Sequence, residues 1–270
     1  MKKVSEIELK DGLIAKALKT GIQEEVVEFA RWQAVIEGMI KAEELTLRKM
    51  ILWSYQPIEK IKCLNRILMS IKDFKGSLII SIINSHRPNG DTKINNIFNG
   101  LLANLMQPFF QYIENWVYKG ILIDDFDEFF IYESKKNVGN WWNQNYQIRK
   151  KMIPNVIDYN MAYKIFNTGK TIHFLKNKCK VNYSIKQPFF DPKDIVLKEE
   201  SGSILSLNFK KWLDAVDEEV NQELVRVLFE DFKLNLHLGA VKKFFLAGQG
   251  DFTQYLADTL KEELNKPCLL

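Results

Sequence analysis

The stretch Ile94–Val117, INNIFNGLLANLMQPFFQYIENWV, decides the fold. Its apolar residues Ile94, Ile97, Phe98, Leu101, Leu102, Leu105, Phe109, Ile113, Trp116 and Val117 recur at intervals of three and four. That is the period of an α-helix with one face turned to a core. Pro108 falls inside the pattern, where it removes a hydrogen bond and crowds the preceding turn, so a kink or split is expected there. Gly120 ends the run.

Working outward, the same period recurs on both sides. Toward the N-terminus, Leu13 to Met39 reads as two helices or one bent one, with Gly21 near the break. Leu45–Leu52 leads into Trp53-Ser54-Tyr55-Gln56-Pro57, and Pro57 predicts a helix boundary because it disfavours helical geometry in its predecessor. Ile58–Ile71 resumes the helical spacing, and Leu78–Ile83 reads as a short buried helix. Arg87-Pro88-Asn89-Gly90-Asp91 is a turn signal. Toward the C-terminus, Ile121–Ile123 and Phe129–Ile131 flank an acidic loop and predict a small hairpin. Glu133–Gln144 is polar and is expected to be mobile. Tyr159–Leu175 and Phe209–Leu228 read as helices, with a long loop over Asn182–Gly202. The expected class is all-α: stacked antiparallel helical bundles with at most a small β-hairpin near 121–131.

Ala240–Leu264, AVKKFFLAGQGDFTQYLADTLKEEL, is amphipathic but carries Gly248 and Gly250 in its middle. Each glycine inside a helix costs about 1 kcal/mol relative to alanine. Either the helix breaks there or another backbone comes very close.

Composition narrows the function classes. The 270 residues are 46% hydrophobic and 12% aromatic, enough for a substantial core. A net charge of +4, from 38 basic and 34 acidic residues, lacks the concentrated basic face of a nucleic-acid binder. Cys63, Cys179 and Cys268 are widely spaced, which argues against a disulfide framework or a zinc site and favours a reducing, intracellular compartment. No apolar run approaches the ~20 residues of a membrane helix, and no secretory signal pattern opens the chain.

Candidate chemistry is sparse. Thr168-Gly169-Lys170-Thr171 looks like the end of a phosphate loop, but Lys164 stands where that motif needs glycine, and the stretch lies inside a helix. Asp124, Asp125, Asp127 and Glu128 lack the alternating donors and turn glycine of a cation loop, so they read as a solvated turn. His86, His173 and His237 are isolated, and no serine or cysteine has a nucleophile setting. Trp141-Trp142 reads equally as a partner anchor or as a pin onto the core. No catalytic, metal or cofactor site is expected.

Five spaced motifs carry a resemblance: Phe244–Pro267 (FFLAGQGDFTQYLADTLKEELNKP), Trp116–Asp124 followed by Asp127–Ile131, Tyr146–Pro154, Thr168–Leu175, and Leu45–Arg48 with Trp53–Tyr55. Together, in order from about Asp11 to Pro267, they resemble the gamma-tubulin complex component family, also known from spindle pole bodies, and fit the component-three type best. The resemblance implies a non-enzymatic scaffold of stacked helices that packs laterally with other components, a component-two type as neighbour. It implies presentation of gamma-tubulin for microtubule nucleation, and only indirect contact with microtubule minus ends. It implies a location in the cytoplasm and cytoskeleton, at a microtubule-organising centre or spindle pole body, without nucleic acid or membrane. Residues 1–235 would form the lateral-contact half. Residues 236–270 would open the gamma-tubulin-binding half, most of which the chain lacks, as in a fragment or a reduced paralogue. The implied partner residues are Gly248, Gln249, Gly250, Asp251 and Phe252 on the gamma-tubulin side, and Leu45, Arg48, Trp53 and Tyr55 at the lateral contact or in the core. The rival reading is a generic helical adaptor with partners unrelated to tubulin.

Overall fold

The computed structural model describes residues 12–72, 74–87, 92–134, 146–181, 183–186, 188 and 207–264. The chain divides into two compact units, Met1–Glu218 and Glu219–Leu270.

In the first unit, α1 (Leu13–Lys41), α2 (Leu47–Ile71) and α3 (Ser77–Ser85) all pack on α4 (Thr92–Glu114), which ends in a π turn over Asn115–Lys119. Strands β1 (Ile131–Glu133) and β2 (Tyr146–Ile148) pair antiparallel, with Ile131 opposite Ile148. A 3-10 turn, Lys150–Met152, follows; then α5 (Tyr159–Asn177) packs on the π turn after α4, and α6 (Leu207–Arg226) comes next. Helix α4 is central because it is buried around much of its circumference, at Leu101, Leu102, Leu105, Met106, Phe109 and Phe110. Phe109 and Phe110 meet Phe129, Phe130 and Phe209 in one aromatic cluster, with ring centroids 5.5 Å apart for Phe110 and Phe209 and 4.3 Å for Phe129 and Phe130. Each buried ring stabilises the fold by about 1.5–3 kcal/mol.

The all-α expectation holds, and Leu78–Ile83 is helical with Ile79, Ile80 and Ile83 in the core. Local expectations divide. Leu13–Lys41 is one helix, the second of the two readings, and at Gly21 the missing side chain admits Leu101 and Asn104 of α4. No boundary falls at Pro57, and α4 is not split at Pro108; a proline inside a helix removes one N–H, and burial of the rest of the helix outweighs that loss. The strand pair lies at 131–133 and 146–148, not across 121–131. The backbone groups a 121–131 pairing would use are already engaged: Glu128 and Phe129 donate to the Asp124 carboxylate, both at 2.9 Å, and the Glu128 carbonyl accepts from Ser77. Pro88–Asp91, Trp141-Trp142, Cys268 and most of the 133–144 and 182–202 stretches lie outside the described residues.

In the second unit, α6 ends in a π turn, Val227–Asp231. Helix α7 (Leu234–Ala240) continues into another, Val241–Phe245, and α8 (Gly250–Leu264) follows. The amphipathic stretch is therefore interrupted, the first of the two alternatives. Leu246, Gly248 and Gln249 donate back to the carbonyls of Val241, Lys242 and Lys243, so the chain folds over its own helix end. A Cβ on Gly248 would lie 2.6 Å from the Lys242 oxygen. The close backbone is the chain's own.

Candidate partner-binding surfaces

The surface begins with a buried acid. Glycine is the N-cap of α1 and brings no side-chain acceptor. The Glu128 carboxylate supplies it from across the fold: Ile14 N–H donates to Oε2 at 2.9 Å and Ala15 N–H to Oε1 at 3.2 Å. Tyr112 donates its hydroxyl to the same Oε2 at 3.3 Å. A Cβ on Gly12 would sit 2.0 Å from this carboxyl, so only glycine fits. The Glu128 carbonyl also accepts from Ser77 N–H at 2.9 Å and Ser77 Oγ at 2.7 Å, at the start of α3. One residue thus serves two helix N-termini, where partial positive charge favours an anion. Burial first, then the charge of Glu128, pushes the Tyr112 hydroxyl well above its ordinary pKa. The acidic loop is a solvated turn at Asp125–Asp127, as expected from sequence, but Glu128 departs from it and is only 3% exposed. Among the described residues no cluster of acids, histidines and cysteines could hold a metal ion.

Helix α1, fixed at that end, forms one wall of a groove of about 460 Å³, and α2 forms the other. Phe29 and Trp32 line it from α1, and Leu52, Trp53, Pro57 and Ile61 from α2. Glu25 and Glu28 stand at its rim, with Lys60 3.0 Å from Glu28 and 3.9 Å from Glu25. Burial raises the Glu25 pKa; Lys60 opposes this, and neighbouring Glu28 and Glu24 add to it. The Trp32 indole nitrogen is buried without a hydrogen-bond partner.

The four sequence-derived residues of this region separate. Trp53 lines the groove. Tyr55 is 68% exposed on another side of α2. Arg48 is exposed in the first turn of α2, and Leu45 is half-buried just before its cap, Thr46, which accepts from Lys49 N–H. Sequence reasoning missed Glu128, Trp32, and the exposed Leu47, Ile51 and Ile58. The last three were legible as a second apolar stripe on a helix that already had one.

In the second unit, Gly248, Gln249, Gly250 and Asp251 are exposed, while Phe252 is half-buried edge-on to Phe244 at 5.1 Å. Asp251 lies in the first turn of α8, where its charge suits the helix dipole.

The phosphate-loop look-alike has a packing explanation. Gly169 lies under the Trp116 indole, whose nitrogen would be 2.1 Å from an added Cβ and instead donates to the Ile165 carbonyl at 3.1 Å. Lys170 is drawn toward Phe166, at 5.5 Å. Nearby, His173 Nδ1 lies 2.9 Å from the Gly120 carbonyl and Lys176 donates to that of Tyr118, closing the π turn after α4.

Helices α1 and α2 leave large apolar side chains exposed, among them Val27, Val35, Leu47, Ile51 and Tyr55. The family profile described as Gamma tubulin complex component N-terminal matches residues 1–231, and the chain belongs to that family. It is 26% identical over 272 residues to human Gamma-tubulin complex component 3, covering 95% of this chain and 30% of the relative. It is 27% identical over 271 residues to Spindle pole body component alp6 of Schizosaccharomyces pombe, covering 95% and 32%. The Drosophila melanogaster Gamma-tubulin complex component 3 is 29% identical over 238 residues, 86% of this chain and 26% of the relative. The chain thus spans about a third of the length of the curated relatives it matches.

Proposed function

We propose that this chain is a non-enzymatic structural component of a gamma-tubulin complex, acting in microtubule nucleation at a microtubule-organising centre or spindle pole body. Side-by-side packing of helical bundles sets the spacing at which gamma-tubulin is presented. Other components, the component-two type among them, are its lateral neighbours, and its compartment is the cytoplasm. The single observation that carries this reading is the exposed apolar face of α1 and α2 on a chain of this family. Leu45, Arg48, Trp53 and Tyr55 belong to the lateral side. Gly248–Phe252 belong to the junction with the gamma-tubulin side, which makes residues 1–235 the lateral half and 236–270 the opening of the other. No observation favours an adaptor with partners unrelated to tubulin.

Co-purification with a second complex component and gamma-tubulin tests the proposal. Both should be recovered. If a full-length partner pair assembles identically when this chain is omitted, or when Leu45–Tyr55 is scrambled, the scaffold role is lost.

A further inference from the structure

The groove between α1 and α2 sets acids above aromatic rings. On α1, Glu25, Glu28, Phe29 and Trp32 recur at the three- and four-residue spacing that places them on one side of a helix, and all four line the groove. On α2, Trp53, Pro57, Lys60 and Leu64 do the same. Leu64 is buried, and Phe29 and Trp32 are half-buried with ring centroids 5.3 Å apart. The volume of about 460 Å³ lies within the roughly 300–1,000 Å³ of sites that take small organic ligands.

The charged side chains that line the groove are two carboxylates and one ammonium. Lys60 Nζ donates to Glu28 at 3.0 Å but stands 3.9 Å from Glu25, too far for a hydrogen bond. Aromatic faces attract cations through their quadrupole, most strongly where water is displaced. A bare ammonium such as that of Lys60 stays at the carboxylates. Alkyl groups on nitrogen spread the charge over methyls that also pack on rings, so an alkylated ammonium uses the acids and the aromatic walls together.

We infer that the groove between α1 and α2 binds a small organic cation, an alkylated ammonium carried on an apolar or aromatic body. The charged head sits at Glu25 and Glu28, and the body lies between the tryptophans of the two helices. Binding itself is independent of the function proposed above. Its consequence rests on that function: the ligand occupies part of the lateral side and so regulates packing against a neighbouring component.

Titration of the whole chain with benzyltrimethylammonium, followed by NMR of the indole N–H resonances, tests this. The Trp32 and Trp53 resonances, assigned by replacing each with phenylalanine, should shift together with a Kd of about 1 mM or tighter. Neutral benzyl alcohol and anionic benzenesulfonate should bind about tenfold more weakly or worse. Glu25→Gln and Trp53→Leu should each weaken ammonium binding by about fivefold or more. Lys60→Met should tighten it, because the resident ammonium no longer holds the same acids; damage to the fold does not produce tightening. Glu28→Gln and Trp32→Leu repeat the loss-of-binding test should either first variant lose its helical circular dichroism. Equal binding of the neutral and cationic probes, shifts confined to other tryptophans, or an affinity that fails to rise in Lys60→Met would each overturn the inference. Saturating benzyltrimethylammonium should also reduce capture of a second gamma-tubulin complex component. Binding with capture undiminished upholds the ligand site and takes the groove off the lateral side. Capture without any ammonium binding sinks the ligand site and leaves the proposed function standing.

Discussion

Glu128 ties the start of α1 and Tyr112 to the acidic loop through three buried hydrogen bonds. Removing its carboxylate strands the Ile14 and Ala15 N–H groups and the Tyr112 hydroxyl, each a buried donor worth about 1–3 kcal/mol when left unpaired. Glu128→Ala should therefore lower stability by about 3 kcal/mol in urea denaturation, and Glu128→Gln, which keeps acceptor capacity, by clearly less. Equal losses for both would show that packing, not acceptance of hydrogen bonds, is what matters. Tyr112 adds a pH dependence. Its folded pKa lies above the unfolded value of about 10, so the neutral hydroxyl is favoured in the fold. The stability this represents is fully present below pH ~10 and is lost as pH climbs through the folded value. Alkaline titration of unfolding should show a falling limb above pH ~10 that Tyr112→Phe flattens; an unchanged limb in that variant would refute the assignment. None of this was legible in the sequence. Asp124–Glu128 looks like solvent-facing turn chemistry until the fold places an uncapped helix end, Gly12, against it.

Single elements show what sequence period can and cannot see. Helix type followed from spacing in α4, α5 and α6 and in the Ile-rich α3, whereas the cost of glycine within a helix left a break or a close approach open at Gly248, and the structure shows the break. Pro57 misled because local backbone preference was weighed without the burial of Leu64, Ile67, Leu68 and Ile71 on the same helix, which holds it together. The strand pair was misplaced because its partners are separated by a dozen intervening residues, and a short apolar segment does not name its partner. The break before α8 yields a prediction of two signs. Ala247 adopts φ 51°, a left-handed conformation that costs a non-glycine residue about 1–2 kcal/mol. Ala247→Gly should relieve that strain, whereas Gly248→Ala drives a methyl against the Lys242 carbonyl. Amide hydrogen exchange across 241–253 should slow in the first variant and quicken in the second. The same direction in both would mean that the break is held by something other than this turn.

Across the whole molecule, cohesion is uneven. The first unit has a closed aromatic core, whereas Leu236, Leu238, Phe245, Leu246 and Tyr255 of the second are more than half exposed. Helices with few buried apolar contacts open locally at low cost. Amides in 234–264 should thus exchange well before those of α4 and α5, and should become protected when a lateral or gamma-tubulin-side partner is added. Protection equal to that of α4 in the isolated chain would contradict this. The Glu128 staple has a further consequence, in time. It joins residues 114 positions apart. During synthesis at about 5–20 residues per second, the first helix emerges roughly 6 to 23 s before its cap exists. Through that interval water satisfies the α1 terminus, and the helix gains its buried cap only once the acidic loop has left the ribosome.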